Sequence, residues 1–213
     1  MKSQHALCAA NGLPASGPGA TFCAGAGLVA RGYREATLLC ADVAGLPGLA
    51  RALRPEKLVA VLDGLFSLFE GAARRHGLSS VAVRSGAFAA VAGVPDARPD
   101  HARAAAEMAL ELLSASWRLL ALDGRSPALR IGLHSGPVVA AMDVGRGGVR
   151  ELWGDAARVA RLLEARGIPG LVQVSAATAS RLAGGFRLEA RSRTPGVATA
   201  GVETFFLAGR RAA

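Results

Sequence analysis

The sequence predicts an α+β fold in which helices pack on a mixed β-sheet. Short apolar runs bounded by glycine and proline alternate with longer segments whose apolar residues recur at helical spacing. Some of the short runs follow one another across turn residues, which favours hairpins over a purely parallel sheet. The chain has 213 residues, 51% of them hydrophobic, which is enough for one domain with a buried core.

The first half of the chain predicts one strand, one helix and one hairpin. Residues 37–43 (TLLCADV) form an apolar run that ends at Ala-Gly, as a buried strand does when it enters a tight loop. Pro55 begins a segment with leucines and phenylalanines at helical spacing, and Gly77 ends it. Residues 80–94 contain two strand-like runs around Ser85 and Gly86, which predicts a hairpin.

The second half predicts two longer helices and several short strands. Asp100 is placed to cap a helix that runs to about Leu122. Residues 129–142 (LRIGLHSGPVVAAM) predict a strand, a Gly-Pro turn and a second strand. Asp155 is placed to cap a third helix, which Gly167 ends. The remaining predicted elements are a strand at 171–174, a helix at 176–182 and strands at 186–189 and 203–207.

We expect three regions along the chain: a flexible leader over 1–34, an ordered domain over 35–209 and a short tail over 210–213. Residues 6–30 carry no charge, but Gly, Pro, Asn and Ser interrupt them and no helical stripe is present. This composition fits either a flexible leader or a cleaved targeting peptide, since the segment is poor in acids and rich in small residues.

Cysteine usage and hydropathy predict a cytoplasmic chain. Cys8, Cys23 and Cys40 are an odd number without metal-type pairing, which argues against a disulfide framework and for a reducing compartment. Cys40 lies inside an apolar run and is predicted to be a buried thiol. The sequence contains no continuous apolar stretch of the length that a membrane span needs, so we expect none in this chain.

The net charge of +9 raises the question of nucleic-acid binding, because clustered Lys and Arg neutralise phosphates. The charge is spread along the chain and is almost entirely arginine, since Lys2 and Lys57 are the only lysines. Aromatic residues for base stacking are scarce, at 5% of the chain. A nucleic-acid-binding module is therefore the lowest-ranked hypothesis, and we expect no nucleic-acid partner.

Four stretches together resemble the class III adenylyl and guanylyl cyclase catalytic domain. They are CADVAGL at 40–46, AAVAGVP at 89–95, RIGLHSGPVVAA at 130–141 and ELWGDAARVARLLEARGIPG at 151–170, and VETFFL at 202–207 is similar to the family's final strand. The order and spacing of these motifs identify the region 35–209 as a nucleotidyl cyclase homology domain. The resemblance implies a ferredoxin-like βαββαβ core that works as a head-to-tail dimer, with active sites formed between two chains.

The resemblance implies a metal and phosphate site at the end of the first predicted strand. Asp42 matches the family's first metal carboxylate, and the cofactor, if one is bound, would be Mg²⁺ or Mn²⁺. The alternative is that Asp42 caps the turn that follows. Pro47 stands where the family has threonine, which removes a backbone donor and a hydroxyl. The resemblance implies a phosphate loop formed by Val43, Ala44, Gly45 and Leu46.

Several positions that the family uses for catalysis hold residues unsuited to it. The second metal Asp falls on Gly86, and the ribose-fixing Asn and the transition-state Arg fall on Arg158 and Leu162. Arg161 lies one position away, about 100° around the helix. Asn11 is the only asparagine in the chain, so no shift of the alignment recovers the amide. No catalytic residue is therefore assigned.

The positions that would choose the base and hold the triphosphate are also altered. The two base-pocket positions fall on Ala82, which has no polar side-chain atom, and on Glu151, which is able to accept from a base amino group. The stretch 197–201 (VATAG) stands where the family has a triphosphate-binding lysine.

Three further residues are interpreted as structural. His134 has no serine, cysteine or carboxylate in a triad-like pattern around it and is predicted to be a packed or hydrogen-bonded histidine. Trp153 and Phe88 are predicted to be core residues.

Two main hypotheses follow. In the first, the chain is a dimerising or regulatory pseudo-cyclase of cyclic-nucleotide signalling that binds ATP or GTP weakly and forms a homodimer or a heterodimer with another cyclase-type chain. In the second, it is an active nucleotidyl cyclase, converting ATP or GTP to cyclic nucleotide and pyrophosphate, as one half of a heterodimer.

Overall fold

The computed structural model describes residues 21–24, 28–81, 87–120, 128–143, 148–191 and 203–211. The strands are β1 (Thr21–Ala24), β2 (Leu28–Val43), β3 (Ser79–Val81), β4 (Phe88–Ala92), β5 (Leu129–Asp143), β6 (Val149–Trp153), β7 (Val172–Ser175), β8 (Phe186–Arg191) and β9 (Thr204–Arg210). The helices are α1 (Leu46–Ala52), α2 (Pro55–His76), α3 (His101–Leu120), α4 (Asp155–Ala165) and α5 (Ala176–Leu182). Within this described part, no helix has both the length and the apolarity to cross a membrane.

The strands form one mixed sheet with a ferredoxin-like centre. β2 lies between β4 and β5 and pairs antiparallel with both, while β3 pairs with the outer edge of β4. With α2 and α3 as the connections, these strands form a βαββαβ unit. β5 pairs in parallel with β7, and β9 and β8 extend the sheet beyond it. The predicted fold class, α+β with a ferredoxin-like core and a mixed sheet, is confirmed.

Helices cover both faces of the sheet. Successive side chains of β2 point to opposite faces, so alternate residues pack against different helices. Leu39 belongs to a core cluster with Leu65 and Phe69 of α2 and with Met108 and Leu112 of α3. The alternate β2 residues Leu38 and Cys40 belong to a second cluster with the alanines of α4, which are Ala156, Ala157 and Ala160. Phe88 is buried, as predicted, and packs on Phe69 with ring centroids 4.8 Å apart.

β5 is one continuous strand, so the predicted Gly-Pro turn at 136–137 is wrong. β2 pairs with β5 from Leu28 opposite Asp143 to Val43 opposite Leu129, with one break in register between Tyr33 and Ala36. The break is a bulge on β2 that lies opposite Pro137. Because proline has no N–H for the ladder, an irregular partner strand accommodates it without a turn.

The leader boundary predicted at residue 34 also differs from the structure. Residues 21–24 form β1, and the whole of 28–34 belongs to β2, whose first half pairs with β1 and with the end of β5. Residues 1–20 lie outside the described part. At the other end, Arg210 is the last residue of β9 rather than the first of a tail.

The ends of the helices test the residues that were predicted to begin and end them. α2 begins at Pro55 and is capped at its C-terminal end by Gly77, as predicted. Gly77 has a left-handed φ of 69°. The predicted side-chain cap of Asp155 is wrong, because Gly154 is the N-cap and Asp155 is the first helical residue. The Asp100 carboxylate pairs with the Arg98 guanidinium, and its backbone carbonyl accepts from Ala104.

α4 approaches β5 so closely that only glycine fits beneath it. A Cβ placed on Gly132 would lie 2.5 Å from the carbonyl oxygen of Ala160 and against the backbone nitrogen of Glu164. Real Cβ atoms do not come this close to backbone atoms, so a side chain here forces helix and strand apart. Gly132 therefore fixes the position of α4 on the sheet.

We predict that Gly132→Ala lowers the free energy of unfolding by about 3 kcal/mol, because the added methyl clashes with backbone that cannot rotate away. Urea denaturation followed by circular dichroism measures this. The matched control is Gly64→Ala in α2, where a Cβ meets open space, and this change should stabilise by about 0.5–1 kcal/mol. Equal effects of the two variants would contradict the close-approach interpretation.

Candidate functional site

Asp42 lies near the end of β2, directly opposite Arg130 on β5. A guanidinium N–H of Arg130 donates to Asp42 Oδ2 at 2.8 Å. Both side chains are partly exposed. The carboxylate that the sequence assigned to a metal is thus held by a cation of the same chain.

A second carboxylate reaches the same guanidinium from α4. Arg130 Nη2 lies 3.5 Å from Glu164 Oε1, and the Glu164 residue is 8% exposed. Glu164 Oε1 and Arg130 Nε are buried and have no hydrogen-bond partner among the described residues. Burial and the nearby Asp42 charge raise the pKa of Glu164, whereas Arg130 lowers it. We call Asp42, Arg130 and Glu164 the Arg130 cluster.

The predicted phosphate loop follows Asp42 and leads into α1. Gly45 has a left-handed φ of 82°, and its carbonyl accepts from Gly48 and Leu49 at the start of the helix. The Ala44 amide donates to the carbonyl of Ala128 at 2.9 Å, so it is engaged within the chain. Pro47 removes another donor, which leaves a loop with fewer backbone amides for an anion than the resemblance implied.

Residues at the predicted partner half of the site lie on α4. Arg158 is exposed, and its guanidinium pairs with Asp155 one turn earlier, at 3.1 Å. Leu162 is half-buried, and Arg161 is exposed. Leu162 supplies neither a charge nor a hydrogen-bond donor.

The predicted base-pocket residue Glu151 lies on β6, opposite Ala141 of β5. Asp42 lies opposite Arg130, which is eleven residues from Ala141 on the same strand. At about 3.3 Å per residue, the two acids are roughly 36 Å apart along β5, so one chain does not bring them together. Ala82, Gly86 and the stretch 197–201 lie outside the described residues.

His134 is part of a buried hydroxyl network rather than a catalytic arrangement. Its Nδ1 lies 2.7 Å from Ser175 Oγ, and Ser175 contacts Thr178, which contacts Ser135 at 3.0 Å. Ser135 lies 2.7 Å from Thr37 Oγ1. The interpretation of His134 as a hydrogen-bonded structural residue agrees with these contacts. The network joins β2, β5, β7 and α5.

The same network ends at His101, the first residue of α3. Thr37 Oγ1 lies 2.7 Å from His101 Nδ1, and the other ring nitrogen lies 3.5 Å from Glu35. Glu35 belongs to the β2 bulge and is also held by the Arg181 guanidinium of α5. Burial lowers the pKa values of His101 and His134, so both rings are neutral at pH 7.

The prediction that Trp153 is a core residue is wrong. Trp153 is 47% exposed, and Val139, opposite it on β5, is 40% exposed. Their alternation with the buried Val138 and Leu152 places this apolar pair on the outer face of the β5–β6 hairpin. By contrast, Cys40 is buried as predicted, and burial raises the pKa of its thiol to about 12.

Sequence reasoning missed Arg130 and Glu164. Each lies inside one of the quoted sequence motifs. Their partners are defined only by the β2–β5 register and by the position of α4 on the sheet. In the resulting arrangement the Asp42 carboxylate and the Arg130 guanidinium are already paired with each other. Across the described ranges, no group of three or more His, Cys, Asp or Glu side chains is positioned to hold a metal ion. Asp42 and Glu164 are nevertheless oxygen ligands of the type that Mg²⁺ and Mn²⁺ choose.

Comparison with known proteins agrees with the fold and the motifs. Residues 28–209 match the family described as the adenylate and guanylate cyclase catalytic domain. An adenylate cyclase of Mycobacterium tuberculosis is 35% identical over 186 residues, which are 87% of this chain and 42% of that protein. Retinal guanylyl cyclase 1 of Bos taurus is 34% identical over 187 residues, which are 84% of this chain and 17% of that protein. This chain thus spans less than half the length of either relative.

Solved structures share the same architecture. The guanylate cyclase domain of RhGC from Catenaria anguillulae, determined in complex with GTP, superposes with a TM-score of 0.76 at 24% sequence identity. The match covers 85% of this chain and all of that chain, which is a likeness of fold.

We predict that stability falls as the pH drops below about 6.5, the ordinary pKa of histidine. The folded state depresses the pKa values of His101 and His134, so it binds fewer protons than the unfolded chain between that pH and the lowered values. Their contribution is present in full above 6.5 and is lost on acidification. Chemical denaturation between pH 7.5 and 5.5 measures the slope.

The comparison variant for this prediction is His101→Asn with His134→Gln, which should show a shallower dependence in the same range. Charged groups that act on the two rings remain in place in this variant; they are Glu35, Arg98, Asp100, Asp155, Arg158 and Arg181. An unchanged slope would assign the pH effect to other groups.

Proposed function

The chain belongs to the adenylate and guanylate cyclase catalytic domain family, and we propose that it is a catalytically impaired member that acts as a dimerising or regulatory module. It is a cyclase homology domain of cyclic-nucleotide signalling. We propose that the chain has lost catalytic turnover and keeps a dimerising or regulatory role.

The residue that carries this proposal is Leu162. Stabilising a pentavalent phosphorus requires a cation or donor aimed at the charge that builds in the transition state. Leu162 offers neither, and the guanidinium of Arg158 is already paired with Asp155. Arg161, one position away, points about 100° around the helix and is solvated.

The state of Asp42 supports the same conclusion. A two-metal mechanism needs carboxylates free to bind divalent ions. Here Asp42 is neutralised by Arg130, and the loop that follows has lost one amide to Ala128 and another to Pro47. Any Mg²⁺ or Mn²⁺ would therefore have to displace a built-in cation.

An active half of a heterodimer is the second candidate, and the Arg130 cluster is the observation that favours it. Arg130 provides positive charge beside Asp42, the residue that precedes the phosphate loop. A partner chain with an intact Asn and Arg would then supply the ribose-fixing and transition-state groups, and Gly86 would remain in place of the second metal carboxylate. Co-purification from the native source tests this, because an intact cyclase chain should be recovered with this one.

We predict that the purified chain, given ATP or GTP with Mn²⁺, forms no cyclic nucleotide or pyrophosphate above the buffer level, because Leu162 and Gly86 remove transition-state and metal ligands. Chromatography of the products with a coupled pyrophosphate assay measures this. Robust formation of cyclic AMP or cyclic GMP by the isolated chain would contradict the proposed impairment.

Restoring Gly86→Asp and Arg158→Asn together should tighten Mn²⁺ and nucleotide binding about tenfold, since a carboxylate and a ribose-binding amide return. Calorimetry measures both affinities. The control is Gly86→Asn with Arg158→Asn, which has nearly the same shape but lacks the carboxylate and should not improve metal binding. If neither variant changes either affinity, the residue assignment is wrong.

Dimerisation is proposed to use the apolar pair on the β5–β6 hairpin, Val139 and Trp153. The exposed Trp153 ring beside Val139 supports this, because aromatic side chains are enriched in interface cores. Val139→Glu is therefore expected to weaken self-association at least tenfold, as measured by analytical ultracentrifugation, because it places a charge in the apolar contact.

The matched control is Val59→Glu on α2, where the valine is 64% exposed and lies away from the hairpin. Thermal melting checks that both variants fold. Loss of self-association in both, or in neither, would argue against an interface at the hairpin.

A further inference from the structure

We propose that a buried chain of hydroxyl groups couples the tautomer of His134 to that of His101, so that the charge of Glu35 decides which nitrogen of His134 carries the proton. The hydroxyl chain starts at α3 and passes through β2, β5, α5 and β7 before it returns to β5. Such a relay is a regulatory device that goes beyond the proposed function, because it depends neither on turnover nor on self-association.

Five consecutive polar contacts join the two rings. At 2.7, 2.7, 3.0, 3.2 and 2.7 Å they connect, in order, His101 Nδ1, Thr37 Oγ1, Ser135 Oγ, Thr178 Oγ1, Ser175 Oγ and His134 Nδ1. The longest step is supported by a second contact, because the Thr178 amide also donates to Ser175 Oγ. The four hydroxyl residues are at most 3% exposed, so the relay runs through the interior.

Proton counting makes the two histidines interdependent. A hydroxyl group has one proton, so each of the four donates to one neighbour in the relay and accepts from the other. Four hydroxyl protons fill four of the five contacts, and the fifth proton must come from one histidine Nδ1. When both rings are neutral, a complete relay therefore has one ring protonated at Nδ1 and the other at Nε2. Two rings of the same tautomer leave either a contact without a proton or a hydroxyl proton without an acceptor in the relay, which is costly in a buried place.

Glu35 selects the direction of the relay. Its Oε2 lies 3.5 Å from His101 Nε2, and its negative charge acts on the ring. A carboxylate favours an N–H that faces it over a lone pair that faces it, because the lone pair is repelled. His101 is therefore protonated at Nε2 and accepts from Thr37 at Nδ1. Every hydroxyl then donates in the direction of His101, which leaves His134 protonated at Nδ1 and unprotonated at Nε2.

The two ends of the relay lie in different parts of the molecule. His101 and Glu35 line a cavity of about 480 Å³ at the surface. At the other end, a Cβ placed on Gly136 would lie 3.4 Å from His134 Nε2 and 3.8 Å from the Cβ of Ala156, which places this nitrogen beside the first turn of α4. A change of charge in the cavity therefore decides whether a nitrogen beside α4 donates or accepts a hydrogen bond.

Nuclear magnetic resonance measures both tautomers directly, from proton–nitrogen correlations of the chain labelled with ¹⁵N-histidine. At about pH 7.5 both rings are neutral, since burial lowers their pKa values below the ordinary value of histidine. We expect His101 to carry its proton at Nε2 and His134 to carry its proton at Nδ1. The same tautomer in both rings would overturn the proposal, and this measurement requires no variant.

Glu35→Gln removes the charge that sets the direction and keeps the size of the side chain. Because reversal requires both rings to change together, the opposite tautomer should increase by equal fractions in His101 and His134. The control is Glu189→Gln on β8, since this acid is exposed and is not among the charges that act on either ring. It should change neither ring. A change at His101 alone, or at neither ring, in Glu35→Gln would contradict the coupling.

Ser135→Ala interrupts the relay in its middle. The hydroxyls of Thr178 and Ser175 are then able to reverse, so His134 should lose most of its Nδ1 proton while His101 keeps its Nε2 proton. Adding Glu35→Gln to this variant should leave His134 unchanged. Thr178→Val interrupts the same relay and replaces Ser135→Ala if thermal melting shows that the latter is unfolded. A response of His134 to Glu35→Gln that survives either interruption would show a route outside the hydroxyls and overturn the proposal.

Discussion

The contact between α4 and β5 at Gly132 is the constraint on which the arrangement of this domain depends. A strand and a helix meet with backbone against backbone, and no side chain lies between them. The alanines of α4 then pack on Leu38 and Cys40, and the helix covers one face of the sheet while α2 and α3 cover the other. Because packed interiors tolerate little change in volume, this contact also fixes where Glu164 stands relative to Asp42.

The position of α4 on the sheet determines which charged side chains meet at the end of β2. At this end of the strand the Asp42 carboxylate is paired with Arg130, whose guanidinium also lies near Glu164 of α4. The bulge in the middle of the same strand also carries internal contacts, because Glu35 is held by Arg181 and faces His101. The bulge of β2 and its C-terminal end therefore both carry ion pairs formed within the chain.

The sequence predicted the fold well where the signals are local. Pro55 and Gly77 bound α2 as expected, since a fixed proline φ and a left-handed glycine are properties of single residues. The turn predicted at Pro137 was wrong, because a bulge on the partner strand accommodates this proline within β5. Trp153 was assigned to the core on residue type alone, although its face depends on the register of β6 with β5.

The site was harder to predict than the fold, because its main contacts join distant parts of the chain. Asp42 was identified from a motif, but its partner Arg130 is 88 residues away and became visible only with the strand register. Glu164 required in addition the position of a helix. The hydroxyl network from Thr37 to His134 is of the same kind, since it depends on four elements meeting in the interior.

The length of β2 has a mechanical consequence. The strand runs from Leu28 to Val43, which follows Asp42, and its bulge is anchored by Glu35 to α5 and α3. A force applied at Leu28 is shared along the β2–β5 ladder on both sides of the bulge, so the backbone hydrogen bonds and the Glu35 ion pair resist it together.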